Sequence, residues 1–377
     1  MLQFKDPSKL RTKKIVFEDV YCAQDSGTLE QLKELSSNRV DVESINENNS
    51  ITDAIAREKS GGLTSQREQG IQKLELYLPL LENFIQRVDS IGDNTKLISW
   101  TSDLKIRWTS PLSSSSFFNL RGPRFFQIDN LHFELAMVLF FYGAMLREWA
   151  SQVLTTDLVQ SATLFRKSAG VYHYLAHEIL PSLQPAISTE RPPEVSSSLS
   201  SVMSFICLAE AQIVTIMKAE EKQIADGLLE KLHYGVVQLF DEATRFFLKS
   251  VKECKDISPS LMDYISCCKV VHELRSHKYL AKSIKSDGKI GSAIGVLKRA
   301  LKNVNKNVGG VDTWRVVIKE EIESVSELVR KYEYENEFVW REKVPYEDDL
   351  PLVQGREIVT CIHYHPKRWE RNLAFKI

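Results

Sequence analysis

Apolar residues recur every three or four positions over most of this chain. The stretch SQREQGIQKLELYLPLLENFIQRVDSI, starting at Ser65, sets Ile71, Leu74, Leu78, Leu81 and Ile85 at helical spacing. It predicts an amphipathic helix with a kink near Pro79, whose ring removes an interior N–H. Ahead of it, Thr28-Leu29-Glu30-Gln31 places a cap candidate before a shorter helix, LEQLKELSSNRVDV. The period then changes. In KLISWTSDLKIRWTS (96–110), Trp100, Leu104, Ile106 and Trp108 occupy even positions, the alternation of a half-buried strand, which predicts a small antiparallel hairpin or sheet near the N-terminal third. The next stretch, PLSSSSFFNLRGPRFFQ, mixes a serine run with phenylalanines and reads as a loop, its aromatics either meeting a partner or docking onto the body.

From Asn130 to Tyr334 the helical period dominates, broken by short polar links. FELAMVLFFYGAMLREWASQVL (133–154) is apolar nearly all round, which marks a helix buried on most sides. LVQSATLFRKSAGVYHYLAHEIL ends at Pro181; two long helices then share a wide face, SLSSVMSFICLAEAQIVTIMKA and EEKQIADGLLEKLHYGVVQLFDEATRFFLKSVKEC. Around the Asp287-Gly288 turn, small residues (Ala281, Ala293, Gly295, Ala300) sit where two helices would touch, the pattern of one tetratricopeptide-type hairpin without a strict 34-residue repeat. After a long charged helix comes NEFVWREKVPYEDDLPLVQG (336–355). Pro345 and Pro351 make it extended, since each lacks an N–H and pushes the preceding residue out of the α region.

Charge and chemistry narrow the function. With 49 basic and 50 acidic residues, nothing electrostatic favours wholesale binding to nucleic acid or acidic lipid. Six scattered cysteines (Cys22, Cys207, Cys254, Cys267, Cys268, Cys361) and no signal-peptide pattern predict a reducing, intracellular setting. The longest apolar run, 133–146, contains Glu134 and is shorter than the roughly 20 residues a bilayer requires. His173 and His177 stand four apart on one helix face, a spacing that could hold a metal, but the order is not HExxH and the sequence offers no third ligand. CIHYHP (Cys361, His363, His365) and Cys267-Cys268 with His272 and His277 lack paired CxxC spacing. There is no GxSxG, P-loop or GxGxxG, and GKIGSAIG lacks the preceding strand a dinucleotide loop needs. The sequence therefore predicts a binding protein with no catalytic residues, metal or cofactor.

The combination of ENEFVWREKVPYEDDLPLVQGREIV (335–359) with GIQKLELYLPLLE, FELAMVLFFYGAM, FRKSAGVYHYLAHEIL, LAEAQIVTIMKAEEKQIADGLLEKL and KIGSAIGVLKRAL, in that order, resembles the Bro-domain family over nearly all of residues 15–365. The resemblance implies a mainly α, elongated, curved (banana-shaped) single Bro domain over 1–377, with a β-hairpin at 96–110, a helical body at 130–334 and an extended strap at 335–365. It implies a cytoplasmic, non-enzymatic adaptor, recruited to endosomes, that binds the C-terminal amphipathic helix of ESCRT-III subunits; the alternative is a tetratricopeptide-like scaffold for an unrelated peptide. The strap would run back along the body with its aromatics filling grooves between helices, or else Phe338, Trp340 and Tyr346 would present a peptide-binding surface. The family's ESCRT-III patch falls on Thr215, Leu228 and Leu232, with Thr215 standing where relatives carry a larger apolar residue. Read from the residues alone, Leu228, Leu229, Leu232, Val236 and Leu239 are more apolar positions than one buried face requires, so either some form a patch or all pack inside. The last cysteine at 361 and the Met1-Leu2 start predict neither a CaaX box nor myristoylation.

Overall fold

The computed structural model describes residues 1–46, 66–92, 94–114, 124–183, 191–304, 309–367 and 371–377. Helix α1 (Ser26–Ser44) begins earlier than the sequence suggests. Asp25 is its cap, accepting from the Thr28 N–H at 2.7 Å, so Thr28 receives the cap instead of supplying it. Helix α2 (Gln66–Ile91) continues through Pro79 and buries Ile71, Leu74, Leu78, Leu81 and Ile85 as the spacing predicts.

The strand predicted over 96–110 is mostly a helix. Asn94 caps α3 (Thr95–Asp103) by accepting from the Lys96 N–H, and Leu97, Trp100 and Leu104 turn inward at i, i+3 and i+7. Two of the four even positions thus belong to a helical stripe that the alternation concealed. Past Lys105, at φ 50°, only β1 (Arg107–Thr109) is extended. It pairs antiparallel with β2 (Phe125–Gln127), in the segment read as loop, with Trp108 opposite Phe126. Residues 115–123, including the Phe117-Phe118 pair of that loop, lie outside the described residues.

Helix α4 (Leu131–Val153) is buried on nearly every side, and its Glu134 explains how an acidic residue survives there. Glu134 pairs with Arg39 of α1 at 2.5 Å and accepts from the Trp108 indole N–H at 2.6 Å and the Tyr77 hydroxyl at 3.2 Å, so one buried charge pair ties α1, α2, β1 and α4 together. The next helix, α5 (Leu158–Tyr174), runs on through a π turn at Leu175–Ile179. Then come α6 (Ser197–Glu221), α7 (Asp226–Glu253), α8 (Pro259–Ser286), α9 (Ile290–Asn303) and α10 (Asp312–Glu335). Each of α4 to α10 packs on its sequence neighbour, α8 and α9 forming the small-residue hairpin expected around Gly288. Helix α6 is long and apolar enough to cross a membrane by length and composition, but most of it is buried among its neighbours in the fold. A second buried pair fixes α4 to α6: Arg147 bonds both oxygens of Glu210 at 2.5 and 2.7 Å, and Tyr264 of α8 donates to Glu210 at 2.6 Å.

The strap differs from expectation at its start and in its contacts. Helix α10 runs on into a π turn, Asn336–Trp340, and stops at Arg341 in the left-handed region, with the Asn336 side chain clasping both polar backbone groups of Glu342. Extended backbone begins only there. Phe338, Trp340 and Tyr346 do not fill grooves; they are 61, 48 and 73 % exposed. The strap instead docks through Leu350, Tyr364 and its main chain, crossing the helices from α9 back to α2. Its path needs glycine beneath it: a Cβ on Gly170 would overlap the Ile362 carbonyl, and one on Gly235 the Arg356 carbonyl.

Candidate functional site

The three residues singled out, Thr215, Leu228 and Leu232, lie on α6 and α7, the pair that the strap crosses. Ser196 caps α6, accepting from the Leu199 N–H, and α7 follows after a short turn closed by the Ile224 N–H to the Ala219 carbonyl. The helices therefore run antiparallel, with Thr215 towards the end of one and Leu228 at the start of the other. Thr215 is half-buried, its hydroxyl donating to the Ala211 carbonyl at 2.9 Å, which satisfies the polar atom within its own helix. Leu228 is half-buried at the edge of the core. Leu232 is inside, 3 % exposed, alongside Leu229, Val236 and Leu239. Of the apolar surplus in α7, one residue, Leu228, reaches the surface; the rest are core.

Gln212, which sequence reasoning passed over, holds this region together. Fully buried, it donates to the Leu232 carbonyl at 2.8 Å and the Arg356 carbonyl at 3.0 Å, and accepts from the Ile358 N–H at 3.0 Å. All three bonds go to backbone, so α6, α7 and the strap share one side chain. The Arg356 N–H donates to the Lys231 carbonyl at 2.8 Å, and the Gln354 N–H to Glu230 at 2.9 Å. A polar residue in an otherwise apolar stretch of α6 was the available signal; its strap partners, more than 140 residues away, were not.

Where α7 meets α8, His233 and His272 touch through their Nδ1 atoms at 3.0 Å, and the His233 ring stacks on Tyr279 at 5.3 Å. Burial, with His233 adding to it, holds His272 well below the usual imidazole range; burial also lowers His233, against the pull of Glu220. The seam between α7 and α8 is thus built for neutral rings.

The metal candidates fall at two places in the fold. His173 and His177 stack at 4.2 Å, His177 bonding the His173 carbonyl, and the strap brings His363 to 5.7 Å from the His173 ring. Cys267 faces the Gly309 carbonyl, and His277 bonds the Glu273 carbonyl. Among the described residues no group of three or more His, Cys, Asp or Glu side chains is placed to hold a metal ion.

The family model described as "BRO1-like domain" matches residues 32–374. The chain belongs to this family. BRO1-like domains are protein-interaction scaffolds, which suits a molecule whose most conspicuous features are a helical stack and a strap. Among curated proteins, the chain is 25 % identical over 259 residues to the Programmed cell death 6-interacting protein of Xenopus laevis, covering 68 % of this chain and 29 % of that one. It is 25 % identical over 230 residues to the BRO1 domain-containing protein BROX of Mus musculus, covering 60 % and 53 %. It thus spans under a third of the first relative's length and about half of the second's. The solved structure titled "ALIX BRO1 CHMP4C complex" superposes with a TM-score of 0.67 at 17 % identity over 94 % of both chains; "Structure basis for endosomal targeting by the Bro1 domain" gives 0.64 at 17 %, over 94 and 91 %. These likenesses establish the BRO1 fold.

Proposed function

We propose that this chain is a non-enzymatic adaptor that binds the C-terminal amphipathic helix of ESCRT-III subunits, and that it is recruited from the cytoplasm to endosomes through such partners. The observation that carries this reading is the likeness, over 94 % of the chain, to a BRO1 domain in complex with CHMP4C, an ESCRT-III subunit. On this chain the partner helix would lie against α6 and α7, meeting Thr215 and Leu228, with Leu232 as the floor beneath them. Recognition would be helix-in-groove, anchored by apolar residues one turn apart.

Burying a leucine side chain contributes on the order of 1.5–3 kcal/mol, so a charge at Leu228 should weaken such a complex at least tenfold. Titration of the protein with fluorescent C-terminal helix peptides from several ESCRT-III subunits, beside Leu228→Asp, tests this. Saturable binding that the folded variant loses supports the reading; no binding to any of them removes it. A second reading, a scaffold for an unrelated peptide, is favoured by the exposure of Phe338, Trp340 and Tyr346, and predicts binding that Trp340→Ala loses and Leu228→Asp keeps.

A further inference from the structure

Four cations frame the Thr215–Leu228 face. Lys218 and Lys222 follow Thr215 at i+3 and i+7, the spacings that keep residues on one side of a helix. Lys231 follows Leu228 at i+3, and the strap lays Arg356 beside it through the backbone bond already described. Lys222, Lys231 and Arg356 are exposed and Lys218 is half-buried. Among the described residues none of the four side chains makes a salt bridge or a hydrogen bond.

Three cations on the helices that the start of the strap follows are matched. Lys285 pairs with Glu335 at 2.5 Å, Lys298 with Glu333 at 2.6 Å and Lys302 with Glu347 at 2.6 Å. Around the face, the neighbouring acids are engaged elsewhere or few. Glu220 accepts from Tyr279 and faces His233. Glu230 is buried and accepts from the strap; burial raises its carboxyl, and Lys231 opposes that only in part. Glu357 has its carboxyl raised by burial and by neighbouring Glu242, so these two weigh on each other. Asp226 in the first turn of α7 and exposed Glu221 at the end of α6 are the remaining acids close in sequence.

We infer that this face selects a partner helix whose apolar stripe is bordered by acidic side chains. The inference rests on the helix-binding reading above and specifies its partner. Four unmatched cations around a small apolar opening raise the encounter rate of an acidic helix and repel a basic one, and the apolar contact then holds what has been chosen. Each exposed pair contributes little alone, so selection comes from the group and fades as salt rises.

The test uses three helical peptides with one apolar stripe and a border of Glu, Gln or Lys, titrated into the full chain across ionic strengths. The Glu peptide is expected to bind roughly tenfold more tightly than the Gln peptide at low salt, with the gap closing at high salt. Reversal of the rim, Lys218→Glu with Lys222→Glu and Lys231→Glu, is expected to shift the preference to the Lys peptide, a gain that misfolding cannot produce. Equal binding of the Glu and Gln peptides at low salt, with Leu228→Asp abolishing both, would overturn the charge selection and leave the helix site standing. No binding by any of the three would overturn both.

Discussion

A methyl group is too large at Gly170 and Gly235. At both, strap carbonyls lie where a Cβ would be, so Gly235→Ala must push Arg356 away and disturb the Gln212 bond to it. The expected cost is about 1–3 kcal/mol of stability, with protease cutting near Arg356 appearing before global unfolding; an unchanged digestion pattern would argue against tight apposition. Leu232 and Leu228, four residues apart, should behave oppositely. Leu232→Asp buries an unpaired charge and is expected to lose roughly 3–5 kcal/mol, visible as a lowered thermal midpoint. Leu228→Asp should keep its helical circular dichroism and lose only binding. The sequence carried both leucines at the right spacing for one face but could not say where the core boundary fell between them, because that boundary is drawn by α6 and the strap.

At the scale of elements, the strap end near α2 is sensitive to pH. Tyr364 donates to Glu82 at 2.9 Å, and burial pushes the Glu82 carboxyl up to about 7. The native state therefore holds this proton more tightly than the unfolded chain does, and the resulting stabilisation, present below the ordinary carboxylate range, is lost as pH rises through 7. Glu82→Gln, which stays neutral, should gain on the wild type by about 1–3 kcal/mol between pH 5 and 8 in denaturant titrations; a constant difference would refute the assignment. Legibility at this scale follows range. Long amphipathic helices such as α2 and α7 were plain from their period, and the α8–α9 hairpin from its small residues. The segment 96–110 was not, because a short helix followed by a short strand leaves Trp100, Leu104, Ile106 and Trp108 on the same even positions that one long strand would use. The exposure of Trp340 was likewise hidden: a π turn at the end of α10 places it, and nothing in the local composition announces that turn.

For the whole molecule, two buried charge pairs join parts far apart in sequence. Arg39–Glu134 binds the N-terminal helices to α4, and Arg147–Glu210 binds α4 to α6. Glu134→Gln would leave the Arg39 guanidinium buried without its counter-ion, and a loss of roughly 3–5 kcal/mol in chemical denaturation is expected, against near-neutrality for a surface pair such as Lys302–Glu347. The strap has a different consequence. A stack in which each helix leans only on its neighbours can fray from either end, one layer at a time. Here the same polypeptide returns across the layers it has just built, and the last described residues reach α1, where Arg371 meets Glu34 and the Ala374 N–H meets Thr28. The first layer cannot finish until the final one has been made. Unfolding should accordingly be a single all-or-none event, and the vectorially synthesised stack must wait, open along that seam, until its own tail arrives to lace it shut.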